Sequence, residues 1–282
     1  MYLVSEYTKT VYRYLAIFLI FCSIASCGET PTSHLSEQFP IIHSGPHDME
    51  FAFIPKGTFR MGSPAGEEDR EDNEHLHWVK LTEDYWMQTT EVTIGQWFGV
   101  MDNYPDNDCW KEAEVKKEHK YPVVCVSWNE VKEFINSLNK KERDKGYKYS
   151  LPTEAQWEYA TRAYTETPYS IEGPLKSFAW YKSSSDGHTH PVGALKSNFF
   201  GLYDVHGNVF EWVSDWYGDY PRADFFSGAV KNPRGPDDGS HRALRGGSWF
   251  FGARSCRSGF RARGSTSSRG NIVGFRLLRT KI

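Results

Sequence analysis

Residues 201–216 read GLYDVHGNVFEWVSDW, and no other stretch of this 282-residue chain is as specific. Asp204 and Glu211 stand seven residues apart, with Gly201 and Gly207 set among Tyr203, Phe210, Trp212, Trp216 and Tyr217. Those aromatic side chains bury large areas, and Gly207-Asn208 turns the backbone sharply. A hairpin-like turn then brings two carboxylates beside the free carbonyls of the turn. Hard oxygen donors of this kind suit Ca2+ better than zinc or copper. A plainer reading stands beside it, in which Asp204 caps a turn and Glu211 pairs with an arginine.

Working outward, further motifs follow in order. FIPKGTFRMGS occupies 53–63, EVT 91–93, LPTEAQWEYATRA 151–163, RGGSW 245–249, CRSGFR 256–261 and GFRLL 274–278. Together with GLYDVHGNVFEW they resemble the formylglycine-generating enzyme (sulfatase-modifying factor) domain family over about Met49 to Arg279. The resemblance implies an α+β domain of variant C-type-lectin-like fold, loop-rich and low in regular secondary structure. It also implies a structural calcium ion, held by the side chains of Asp204 and Glu211 and the carbonyls of Gly207 and Val209. A first calcium site of the family uses an aspartate where this chain has Gly193, so that site is not carried over.

Catalytic members of the family oxidise a substrate cysteine with O2, using copper(I) held by two cysteine thiolates. Copper(I) is soft and prefers sulfur, and two thiolates leave a position for the substrate thiolate. Those cysteines lie five apart after the GGS motif. Here the second falls on Cys256 and the first on Phe251, which has no ligating atom. Copper is therefore not expected. Cys256 stays the candidate catalytic residue, because Arg254 and Arg257 lower a thiol pKa if they converge on it. The alternative is a small buried residue of the sheet. A related branch, the iron-dependent sulfoxide synthases, carries H-x-x-x-H-x-E in an N-terminal helical domain. In this chain His43 and His47 are followed by Met49, and iron is not expected either. A periplasmic oxidase that matures a siderophore chromophore shares the domain without that helical part.

Composition agrees with a loop-rich domain pinned by aromatic cores: 16% aromatic residues, 24 glycines and a formal charge of −3. No basic block of nucleic-acid-binding length occurs. The length allows one large domain plus an export segment, or two small domains. Lys9 and Arg13 precede the apolar run YLAIFLIFCSIAS at 14–26, which is short for a membrane span and has the form of a signal-peptide core. Cys27 follows small residues, as in a bacterial lipobox. The sequence thus predicts a lipoprotein signal over 1–26, lipidation at Cys27, a polar tether over 27–47 and the domain over 48–282. An ordinary signal peptide or an uncleaved anchor is the alternative. Location in the bacterial cell envelope follows, with the membrane reached through the lipid on an outer-membrane surface.

Three helix starts carry capping boxes: Thr93 with Gln96, Ser127 with Glu130 and Thr153 with Gln156. The helix after Ser127 places Val131, Phe134, Ile135 and Leu138 on one face and is expected to end near Gly146. The helix after Thr153 turns Trp157, Tyr159 and Ala160 inward, and Glu154 and Glu158 read as structural. Among the cysteines of an exported domain, Cys109–Cys125 closes a short loop and is the first choice of pair, with three unpaired thiols as the alternative. The acidic stretch 67–78, with His75 and His77, reads as a solvated loop. His188 and His190 lack an obvious third ligand. Arginines 242, 245, 254, 257, 261, 263, 269, 276 and 279 are expected mostly to pair with Asp215, Asp219, Glu211 and loop carbonyls.

In lectin-like members of the family the loop equivalent to 249–271 binds partners, so Phe250, Phe251 and Arg254 form the candidate recognition surface. The expected function is a lipid-anchored, non-catalytic binding or assembly protein of the envelope, whose partner is an envelope protein or an exported polypeptide. An oxidoreductase acting on an exported protein or metabolite is the alternative.

Overall fold

A computed structural model describes residues 40–112, 116–220 and 228–282. The expected signal segment, Cys27 and the first part of the tether lie outside the described residues. In chain order the strands are β1 (Ile42–Ser44), β2 (Glu50–Ile54), β3 (Gly57–Met61), β4 (His77–Leu81), β5 (Tyr85–Gln88) and β6 (Tyr147–Ser150). They continue with β7 (Phe210–Trp216), β8 (Val230–Lys231), β9 (Arg242–Arg245), β10 (Ala262–Gly264), β11 (Val273–Gly274) and β12 (Leu278–Lys281). The helices are α1 (Ile94–Met101), α2 (Asp108–Glu112), α3 (Trp128–Lys141) and α4 (Glu154–Arg162). None of the described helices is long and apolar enough to cross a membrane.

Three sheets organise the domain, with strand orders β1-β2-β5-β12-β6, β10-β9-β7-β11 and β3-β4-β8. The alternation of inward and outward residues is clearest in β4, where His77, Val79 and Leu81 are buried and Trp78 and Lys80 face out. By contrast β7 is buried along most of its length, because it is flanked by β9 and β11 and covered by α4. A bulge between Trp212 and Trp216 shifts its register against β9.

All three capping boxes form, with Thr93, Ser127 and Thr153 each accepting from the backbone amide three residues on. Each cap satisfies first-turn donors and is worth roughly 1 kcal/mol. The helix α3 buries Val131, Phe134, Ile135 and Leu138. It stops at Lys141, short of the expected end. Gly146, at φ +78°, instead turns the chain into β6. Trp97, Phe134 and Phe275 form the aromatic centre where α1 and α3 meet the five-stranded sheet, Trp97 stacking on Phe134 at 5.2 Å.

Two expectations are corrected here. The tether does not run to His47, because Ile42–Ser44 is an edge strand paired with Glu50–Ala52. His43 stacks on Trp86 at 4.2 Å, and residues 40–282 belong to one unit. The acidic loop also folds inward: Glu74 is buried, and the Glu67 side chain is 3% exposed against Arg257.

Candidate functional site: a buried carboxylate cluster beside an exposed aromatic loop

The signature loop carries a run of left-handed backbone. Gly201, Asp204, Gly207 and Asn208 have φ of +80°, +58°, +146° and +56°. Gly207 is required by contact as well as by conformation, since a Cβ there would lie 2.3 Å from the Trp180 carbonyl oxygen. Asn208 fastens three segments. Its amide donates to Trp180 O at 2.7 Å, its Oδ1 accepts from His190 N at 3.0 Å, and its carbonyl accepts from Trp249 N at 2.8 Å.

Inside this loop Asp204 and Glu211 are both buried. Glu211 accepts from Arg276 Nε and Nη2, each at 2.7 Å, and from Trp157 Nε1 at 2.8 Å. The arginine pairing read as the plainer alternative is therefore present for Glu211. Asp204 Oδ2 accepts only the Gly193 amide, at 2.7 Å, and its Oδ1 is buried without a partner. Gly193, where the family carries a calcium-binding aspartate, thus serves Asp204 as a donor.

A third carboxylate lies beside these two. Glu91 is fully buried, and neither of its oxygens has a hydrogen-bond partner. Burial, then the neighbouring Asp204 charge, pushes Glu91 well above the carboxylate range. Burial raises Asp204 to about 6, although the Gly193 amide and Arg276 oppose the shift. With Glu91 protonated, Asp204 and Glu211 face the single guanidinium of Arg276, and the formal charge is −1. The Glu91 proton is the one donor that the Glu91 and Asp204 carboxyls share, since no other residue reaches the Glu91 oxygens or Asp204 Oδ1. The donor type fits a hard divalent cation bound by oxygens, which would displace the Glu91 proton on binding. Among the described residues no cluster of three or more His, Cys, Asp or Glu side chains is arranged to hold a metal ion by itself. The expected set of two side chains and two carbonyls is of a different kind. Sequence reasoning missed Glu91. It stood in the EVT motif at 91–93, but nothing local tied it to Asp204.

The copper position is different. Cys109 and Cys125 are joined in a disulfide, with Cα atoms 5.5 Å apart, and Cys256 is the free cysteine among the described residues. Cys256 is fully buried, and burial pushes its thiol up to about 12. The idea that flanking arginines activate it is corrected by their partners. Arg257 is held by Glu74 at 2.6 Å and Glu67 at 2.7 Å, and Arg254 is exposed. A lone, buried, protonated thiol does not fit a two-thiolate copper site.

Phe251, at the other copper-ligand position, is 40% exposed and Phe250 56% exposed. Their rings meet edge to face at 5.4 Å, with Trp249 behind Phe250 at 5.5 Å. Phe251 O accepts from Lys182 N and its amide donates to Ser248 O, so the loop is held at its base. Of the candidate recognition residues, Phe250 and Phe251 share one exposed turn, and Arg254 is exposed on the short 3-10 helix that follows, Ala253–Cys256.

The sulfatase-modifying factor enzyme 1-like domain profile matches residues 43–281. The chain belongs to this family. Among its relatives in the sulfatase-modifying factor family, a formylglycine-generating enzyme of Streptomyces coelicolor is 34% identical over 183 residues, covering 58% of this chain and 54% of that protein. The serine/threonine-protein kinase pkn1 of Chlamydia caviae is 29% identical over 267 residues, covering 86% of this chain and 40% of its own length. The chain thus spans about half the length, or less, of these curated relatives. Treponema denticola variable protein 1 superimposes with a TM-score of 0.73 at 30% identity, covering 85% of this chain and 99% of that one. The formylglycine-generating-enzyme, C-type-lectin-like fold expected from the motifs is the fold observed.

The remaining sequence candidates resolve as structure. His190 stacks on Trp180 at 3.7 Å and contacts Ser185 O through Nε2. Glu154 accepts from both Arg261 and Arg245, and Glu158 from Arg245 and Arg162. Burial alone raises Glu154, but the Arg261 and Arg245 charges overcome it and hold the carboxyl at about 2. The arginines therefore pair mainly with Glu74, Glu154, Glu158 and Glu211. Asp215, named as a partner, accepts instead from the Glu154 amide and Ser214 Oγ.

Proposed function

We propose that this protein is a calcium-stabilised binding or assembly domain of the bacterial cell envelope, lipidated at Cys27. It presents Phe250, Phe251 and Arg254 to an envelope protein or an exported polypeptide. One observation carries the reading: the position that bears a copper-binding thiolate in catalytic relatives is here an exposed phenylalanine, while Cys256 is sealed beneath its own loop. Calcium, when bound, supplies a rigid electrostatic crosslink. Asp204, Glu211 and the carbonyls of Gly207 and Val209 would hold it, with Glu91 giving up its proton beside them. Around that ion the chain's own residues do the remaining work. Arg276 fixes the Glu211 carboxylate, Gly193 orients Asp204, and Asn208 transmits the loop geometry to Trp249 and so to the aromatic turn.

The similarity to formylglycine-generating enzymes supports an oxidoreductase as the second reading. Metal analysis of the purified protein, beside a Cys256→Ser variant and a thiol titration, separates the two. Calcium alone, with no copper retained after reconstitution, is the expected result. Stoichiometric copper that disappears in the variant would overturn it. A photo-crosslinking residue at position 250 is expected to trap a polypeptide partner in envelope preparations, and the same residue at buried position 244 is not.

A further inference from the structure

A cavity of about 360 Å3 lies away from the carboxylate cluster and the aromatic loop, between the inner face of β4, the start of α4, and β7 and β8 with the chain that follows each. Its size falls in the range of small-ligand sites. Met61, Ala155 and Val230 give it apolar walls, and its chemistry comes from His77, Asp215 and a group of ion-paired residues.

The ion-paired residues are already satisfied. Glu154 is occupied by Arg261 and Arg245, and the Tyr220 hydroxyl bridges Glu154 at 3.2 Å and Arg245 at 3.0 Å. Arg234 also lines the cavity but is exposed to solvent. His77 differs. It is 4% exposed, its Nδ1 lies 2.9 Å from the His75 carbonyl oxygen, and its Nε2 is buried with no partner. A carbonyl requires a donor, so Nδ1 carries the proton and Nε2 is left as a lone-pair acceptor. Asp215 spends Oδ2 on the Glu154 amide and Ser214 Oγ, both at 2.9 Å, while Oδ1 lies on the Gly235 wall. Burial and the adjacent Glu154 charge raise Asp215 to about 7, against the opposing charge of Arg261, whose guanidinium is spent on Glu154. Asp219 adds a further carboxylate to the wall, and acceptors set among apolar residues select a ligand that donates.

We infer that this cavity binds a primary ammonium group on an apolar stem, with His77 Nε2 and Asp215 as its acceptors. The stem belongs either to a free alkylamine or to a lysine side chain of another polypeptide. The inference is independent of the proposed recognition loop.

The test follows the His77 imidazole nitrogens by NMR, and affinity by calorimetry, as the protein is titrated with n-butylammonium and with Nα-acetyl-lysine methylamide. Saturable binding with a shift at Nε2 is expected. His77→Phe and Asp215→Asn are each expected to weaken it at least about tenfold, since a buried hydrogen bond to a charge is lost. Val230→Trp fills the cavity from an edge strand and is expected to block binding, so the test survives if His77→Phe misfolds. Binding of the lysine derivative alone assigns the stem to a partner polypeptide, and equal binding of both assigns it to a free amine. Equal binding of n-butanol or butyrate, or no saturable shift with either amine in the folded protein, would overturn the inference.

Discussion

Arg276 grips both carboxylate oxygens of Glu211 at 2.7 Å, deep in the domain, and the same guanidinium reaches the carbonyls of Gln88, Thr89 and Tyr203. One side chain near the end of the sequence therefore closes the signature loop onto β5. Arg276→Met leaves Glu211 charged and unpaired where no water reaches it. A loss of about 3–5 kcal/mol is expected in urea unfolding. The double variant Arg276→Met, Glu211→Leu is expected to recover part of that loss, because it removes both charges.

Stability of the calcium-free protein is expected to fall as pH rises. Asp204 is raised to about 6, Glu91 well above its usual range, and Asp215 to about 7. A carboxyl raised on folding stabilises while it is protonated, below its unfolded pKa, and that contribution is lost as pH climbs through the folded pKa. For Asp204 the change is about 3 kcal/mol. Melting temperatures measured from about pH 3 to about pH 8, with chelator or with saturating calcium, test this. Calcium is expected to cancel the part due to Asp204 and Glu91, and Asp204→Asn to abolish the calcium effect. The slope from Asp215 is expected to persist.

Replacing Gly207 by alanine is expected to cost more than about 2 kcal/mol, through backbone strain at φ +146° and contact with Trp180 O. Gly187→Ala is the control. Gly187 is also left-handed, at φ +77°, but has open space where a Cβ would stand. A smaller loss there, read from urea midpoints, isolates the effect of contact.

Cys256 is expected to resist thiol reagents in the native protein at neutral pH. Its thiol is raised to about 12 and fully buried, so labelling must follow opening of the domain. The rate of reaction with a disulfide reagent is expected to rise with urea along the unfolding curve. Rapid labelling of the folded protein would contradict the burial.

Paired serine replacements at Cys109 and Cys125 are expected to lower stability by about 3 kcal/mol, as for a short closed loop. Reduction of the native protein is expected to match the double variant.

Local chemistry made the signature turn, the three capping boxes and the inward faces of α3 and α4 legible from sequence, since each depends on residues within a turn or two of one another. The fold class followed from the order of motifs. What stayed hidden depends on distant pairing. Glu91 joins Asp204 only because Arg276 and the loop containing Thr89 meet across β5. The acidic loop looks solvated until Arg257 is brought against Glu67 and Glu74. Likewise β1 has too little pattern to announce a strand, and it becomes one by pairing with β2.

The position of β12 has a consequence for how the chain folds. The five-stranded sheet needs residues 278–281 in its interior, hydrogen-bonded to β5 on one side and β6 on the other. Until residues 278–281 dock, β5 and β6 have no common neighbour and the sheet is split. Closure of this sheet therefore waits on a contact between segments nearly two hundred residues apart, which slows it relative to the local helices. A blocked or deleted β12 would leave two half-sheets, each with an open edge.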